Sequence, residues 1–175
     1  MTKKIIAAAA VAAIVFALFH FIPISKKMDL KMDGSIRSAD GEVIAPCSVE
    51  LGGREQYYLF GKKADALKGT LKLTGTSGTV TADVLLSIYT SSDKLPNGED
   101  NPSKNIKKYS GFRYDGATNS MVTCDIYAAV DRSSYVLVDN GTIYCFSALA
   151  EAEFLEFFEQ VKQYASRDLV LNPTP

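Results

Sequence analysis

The chain has 175 residues, with 19 basic and 20 acidic side chains, a net charge of −1, and a single histidine. That balance excludes the clustered basic surface that nucleic acid requires. One histidine, His20, in the apolar N-terminal run leaves the rest of the chain without the usual base of Ser-His-Asp and Cys-His catalysts, and without the commonest ligand for zinc, iron or copper.

The first element is a run of 20 positions without a charge, opening at Ile5 and closing at Ile24, with Lys3 and Lys4 before it and Lys26 and Lys27 after it. At a rise of 1.5 Å per residue such a helix is roughly 30 Å long, the thickness of a bilayer's hydrocarbon core. The sequence therefore predicts a transmembrane helix and assigns residues 1–27 to an N-terminal membrane anchor. A cleaved secretory signal is the rival reading. Its small-x-small cleavage site is missing: the small residues crowd the front half, and the far end, Leu18-Phe19-His20-Phe21-Ile22-Pro23-Ile24, is bulky. Lysines on both flanks leave the positive-inside rule almost neutral. A short tail before a single span inserts as a loop, so the N-terminus is expected in the cytoplasm and the rest of the chain outside it.

Residues 28–175 form the expected exported domain. Removing the four flanking lysines leaves 15 basic against 20 acidic residues, a net of −5, which disfavours an anionic lipid surface as a place to lie flat. Period-two alternation dominates this body. Leu30, Met32 and Ile36 alternate with polar residues; after the Ala39-Asp40-Gly41 turn, Val43, Ala45, Cys47, Val49 and Leu51 do the same. Gly52-Gly53 is read as a break before a strand over residues 56–60, and Gly69 opens another over 70–74. Val80, Ala82, Val84, Leu86 and Ile88 share one face of the longest strand pattern. A polar loop over residues 91–105 separates it from strands over 107–115, 119–130, 135–139 and 142–146. Asn140-Gly141, between the last two, is the strongest turn signal, since both central positions of a type I′ turn need positive φ.

Helical periodicity takes over for residues 148–166, where Phe154, Leu155, Phe158, Val161 and Ala165 recur at three- and four-residue intervals. Glu151 and Glu153 near its start and Lys162 near its end suit the helix dipole, and Ser147 is the expected N-cap. Its acidic polar face points to packing on the sheet rather than on a bilayer. The predicted fold is therefore mainly β: a single antiparallel sandwich or barrel of about nine strands with a C-terminal amphipathic helix. That order of elements resembles lipocalin-like barrels and, with fewer strands, pleckstrin-homology domains, although the sequence motifs of both groups are missing.

The chemistry-bearing residues nominate no catalytic, cofactor or metal site. Gly75-Thr76-Ser77-Gly78 runs into a strand pattern and not into a helix that would hold phosphate. Asp93, Asn97, Glu99, Asp100 and Asn101 are oxygen donors without EF-hand order, so a solvated loop is expected there. A serine–lysine dyad of the kind in membrane-anchored signal peptidases lacks its serine signature at Met32-Asp33-Gly34-Ser35. Of Cys47, Cys124 and Cys145, one pair is expected as a disulfide if the domain reaches an oxidising compartment, with the pairing open. Eight tyrosines fall on strand patterns, some opposite the aliphatic core, where they suit a recognition surface. Two functions follow as expectations. One is a non-catalytic, membrane-tethered interaction module for an envelope or extracellular protein. The other is a lipocalin-like carrier of a small apolar ligand.

Overall fold

In the computed structural model, residues 2–21, 23–58, 65–76, 78–90, 105–116 and 118–165 are described. A helix α1 (Thr2–Phe21) leads into eight strands: β1 (Ile24–Arg37), β2 (Val43–Tyr57), β3 (Ala66–Gly75), β4 (Gly78–Thr90), β5 (Ile106–Asp115), β6 (Ser120–Ala129), β7 (Ser134–Asp139) and β8 (Thr142–Ser147). A second helix, α2 (Glu151–Ala165), closes the described chain. Most of residues 91–105, with their oxygen donors, and Ser166 at the expected helix end lie outside the described residues. Of α1 the side chains described are those of Ile5, Ile6 and residues 8–16. Among the described residues no helix is long and apolar enough to cross a membrane.

The strands form a closed antiparallel barrel in simple sequence order, β1 meeting β8. The sandwich alternative is thereby set aside, and the strand number is eight, not nine. The difference lies at Gly52-Gly53, which does not break the chain but sits inside β2. Gly53 pairs with Gly69 of β3. A Cβ on Gly53 would stand 2.6 Å from the Lys68 carbonyl oxygen, and one on Gly69 2.7 Å from the Gly53 Cα. The two glycines let β2 and β3 approach where side chains would wedge them apart. β1 likewise starts earlier than the alternation indicated, so Ile24–Lys27 pair with Arg54–Tyr57 of β2.

The strands are steeply staggered. From Ser25 the register passes through Gln56, Ala66, Ser87, Ser110, Asp125, Val138 and Ile143 and returns to β1 at Arg37, twelve residues further on. Stagger and strand number together set tilt and girth, and so wide a barrel needs large side chains to fill it. Leu51, Leu67, Leu71, Leu86, Ile126 and Phe146 do so, each buried to within 1%. Val80, expected among them, lies near the barrel's rim and is more than one-third exposed.

Outside the barrel, α2 lays Phe154, Phe157, Phe158, Val161 and Ala165 over Tyr127, Val136, Ile143 and Cys145 of β6, β7 and β8. Arg37, at the end of β1, pins the start of this helix through Glu151 at 2.8 Å and lies 5.1 Å above the Phe154 ring. Ser147 is not the cap. Its hydroxyl accepts from the Leu149 amide at 2.9 Å, while the first helical bond runs from Phe154 N–H to the Ala150 carbonyl. Asn140 and Gly141 form the β7–β8 turn with φ of 48° and 81°, the geometry the sequence indicated.

Candidate functional site

The barrel interior is apolar along its length and polar at both mouths. At the mouth where β1 begins, the alternation of β2 runs on through Gly53 and so turns Glu55 and Tyr57 inward. The matching alternation in β5 turns Lys107 and Tyr109 toward them. The Glu55 carboxylate is 0% exposed and is met by four donors. Its Oε1 accepts from the Tyr109 hydroxyl at 2.5 Å and from Lys107 Nζ at 3.1 Å; its Oε2 accepts from the Tyr57 hydroxyl at 3.0 Å and from Arg132 at 2.9 Å. Lys107 also donates to the Tyr57 hydroxyl and lies 4.8 Å above the Tyr57 ring.

Burial alone would raise the Glu55 pKa. Hydrogen bonds from Tyr109, Lys107 and Tyr57, together with the Lys107 charge, outweigh it and hold the carboxyl below its ordinary value. Burial and the facing carboxylate push Tyr57 up to about 12 and Tyr109 higher still. Both tyrosines are therefore neutral donors at physiological pH. A carboxylate with every acceptor position filled by fixed donors is held in place rather than poised to take a proton.

The opposite mouth carries a second buried pair. Arg113 of β5 grips Asp139 of β7 in a two-pronged contact, Nε to Oδ1 at 2.6 Å and a terminal nitrogen to Oδ2 at 2.7 Å. Both side chains are nearly inaccessible. The bond to Asp139 raises the Arg113 pKa further, so the guanidinium is charged at any ordinary pH. The barrel is thus a greasy cylinder closed at each end by a carboxylate–cation plug. In the sequence Tyr57 and Tyr109 stand out only as tyrosines on strand patterns, and nothing local joins them to Glu55, Lys107 or Arg132, or joins Arg113 to Asp139. The signal was there in the parity of Val49, Leu51, Gly53, Glu55 and Tyr57, once Gly52-Gly53 is allowed to stay in the strand.

Cys47, Cys124 and Cys145 are buried and free, without the one bridge the sequence left open. Cys47 and Cys124 belong to the barrel interior, whereas Cys145 faces outward beneath α2. The sheet itself therefore lies between Cys145 and the other two. Burial pushes Cys47 up to about 11 and Cys124 and Cys145 up to about 12, so all three stay protonated and unreactive.

Of the tyrosines, Tyr109, Tyr127 and Tyr135 are buried and only Tyr89 and Tyr114 are more than half exposed. Tyr114 belongs to a stretch of outer wall, away from the face that α2 covers, where described apolar side chains of β4, β5 and β6 stand uncovered. Leu85 of β4 pairs directly with Phe112 of β5, and Tyr114 pairs with Met121 of β6. All four are more than half exposed. They line a shallow groove of about 470 Å³ whose rim is polar, with Lys68, Thr70 and Asp83. Elsewhere on this side the outward positions are Thr70, Lys72, Thr79, Thr81 and Asp83, as water requires. Among the described residues no group of three histidine, cysteine, aspartate or glutamate side chains is placed to hold a metal ion.

No protein-family model, no curated protein and no solved structure matches this chain.

Proposed function

We propose that the protein is a membrane-tethered, non-catalytic interaction module whose barrel presents its outer wall to another envelope or extracellular protein. The observation that carries this reading is the contrast between inside and outside. The interior is packed with Leu51, Leu67, Leu71, Leu86 and Ile126 and plugged at both mouths, while Leu85, Phe112, Tyr114 and Met121 stand together in solvent. Contiguous exposed apolar side chains with a polar rim are the mark of a docking surface. A lipocalin-like carrier needs an empty interior of several hundred cubic ångströms, and the filled core weighs against that alternative.

The tether rests on the sequence: the uncharged run from Ile5 to Ile24 with lysines at both ends has the length and composition of one crossing. With the N-terminus in the cytoplasm, the barrel sits on the extracytoplasmic side. Replacing Leu85, Phe112 and Met121 together by serine in the full-length chain tests the reading. These side chains support nothing inside the barrel, so the variant keeps the parental melting temperature and loses the protein that co-purifies with the parent from its own membrane. Retention of that partner by a folded triple variant would remove the outer wall from the mechanism.

A further inference from the structure

We propose that the groove over Leu85, Phe112, Tyr114 and Met121 receives an acidic–apolar segment of the partner protein, with its carboxylates on Arg54 and Lys68 and its bulky side chains on the apolar floor. The inference rests on the outer wall being the docking surface and adds the chemistry of what docks.

The charges beside the groove carry it. Of the cations on the outer wall of β1, β2 and β3, Lys27 meets Asp29 at 3.0 Å, and Lys31 and Lys72 share Glu50 at 2.9 and 3.6 Å. Arg54 and Lys68 differ. They stand directly opposite each other on β2 and β3, both exposed, and no carboxylate among the described residues pairs with either. Asp83, the nearest acidic side chain on the groove rim, is turned to the Thr70 hydroxyl at 2.9 Å. Like charges directly opposed across an antiparallel pair are unfavourable. A carboxylate laid over them relieves that repulsion, and nothing in the described chain supplies one.

Register joins the two cations to the groove. Lys68 lies opposite Leu85, and Leu85 opposite Phe112, so Arg54, Lys68, Leu85 and Phe112 form one row across four strands. Lys68 itself lines the groove. Strands about 4.8 Å apart put Lys68 about 10 Å and Arg54 about 14 Å from Phe112, so in an extended segment the carboxylates fall about three or four residues from the apolar anchor. Apolar anchors in the middle and charges at the edge are the usual division of labour in a protein interface, the charges selecting the partner. The groove also turns away from the bilayer that the tether implies: Tyr114 and Met121 lie toward the mouth opposite the one where α1 joins β1.

The test uses the full-length protein in its own membrane, with a photoreactive phenylalanine analogue at position 121. Arg54→Glu with Lys68→Glu should cut the adduct with the partner protein roughly tenfold, and the same two positions changed to glutamine should cut it less. Lys31→Glu with Lys162→Glu, an equal change in net charge away from the groove, should leave the adduct as it is. Both altered cations are exposed, so the variants keep the parental melting temperature. Zero-length carbodiimide coupling of the unaltered chain should join Lys68 to an aspartate or glutamate of the same partner. A protein adduct indifferent to the charge reversal, or one in which Lys68 couples to no carboxylate, would overturn the inference and leave the docking surface standing. An adduct with a phospholipid or with a second copy of this chain would overturn it too, by giving the groove a different occupant. No adduct at position 121 in the parent would remove the docking surface and the inference together.

Discussion

Glu55→Gln is the most informative single change, because it keeps the shape of the plug and removes only its charge. Four donors from Tyr57, Tyr109, Lys107 and Arg132 converge on the carboxylate. A glutamine offers one acceptor oxygen and turns an amide donor toward the rest. Lys107 and Arg132 are then left facing each other without a counter-ion. Breaking a fully buried ion pair by removing one partner costs about 3–5 kcal/mol. Here Glu55 is wholly buried but Lys107 and Arg132 keep 19% and 33% of their side-chain exposure, so solvent recovers part of the loss and the expected cost is about 2–3 kcal/mol. For a domain of this size that lowers Tm by roughly 5–10 °C, measurable by circular dichroism of the full chain in detergent. The charge also fixes a pH dependence. A carboxyl held below its ordinary value contributes stability that is fully present above about 4.5 and disappears as pH falls through the lowered folded value. The parent should lose stability across that acid range more steeply than Glu55→Gln. A variant within about 0.5 kcal/mol of the parent, with the same acid profile, would refute the plug as a structural device.

Three further outcomes are expected. Asp139→Asn strands the buried Arg113 and should cost about 3 kcal/mol or more, whereas Arg113→Met combined with Asp139→Leu, judged by urea denaturation, should recover most of that loss. Gly69→Val drives a side chain into the backbone of β2 and should destabilise by at least about 2 kcal/mol, while Gly116→Ala, with nothing within 4 Å of its Cβ, should change the urea midpoint little. Without reductant, the denatured protein should titrate three thiols and the native protein essentially none at pH 8; two thiols missing from the denatured protein would mean a bridge in place of the free cysteines of the structure.

Much of the architecture was legible in the chain because a half-buried strand writes its burial as a period of two. The Asn140-Gly141 turn, the face shared by Ala82, Val84, Leu86 and Ile88, and the amphipathic α2 were all readable in this way. Closure was not, since pairing of β1 with β8 depends on tilt and stagger that no local pattern encodes. The plugs were missed for a different reason. A Gly-Gly pair usually punctuates a strand, and reading it so at Gly52-Gly53 hid the inward parity of Glu55 and Tyr57. Only the facing glycine, Gly69, explains why the strand continues. The counter-ions of the inward Glu55 come from β5 and from the β6–β7 turn, more than fifty residues away, so its local sequence carries no sign of them. Tyrosine as a recognition signal was too coarse: Tyr109 and Tyr135 are buried inside the barrel and Tyr127 beneath α2, and the apolar outer wall is built equally from Leu85, Phe112 and Met121.

The proposal that the outer wall carries the function is tested most directly by site-specific photo-crosslinking in intact cells. A photoreactive phenylalanine analogue at position 112 or 121 of the full-length protein should give a discrete adduct with one partner protein, and the same group at position 72, on the polar wall of β3, should give none. Equal labelling at all three positions, or an adduct at position 72 alone, would contradict the account.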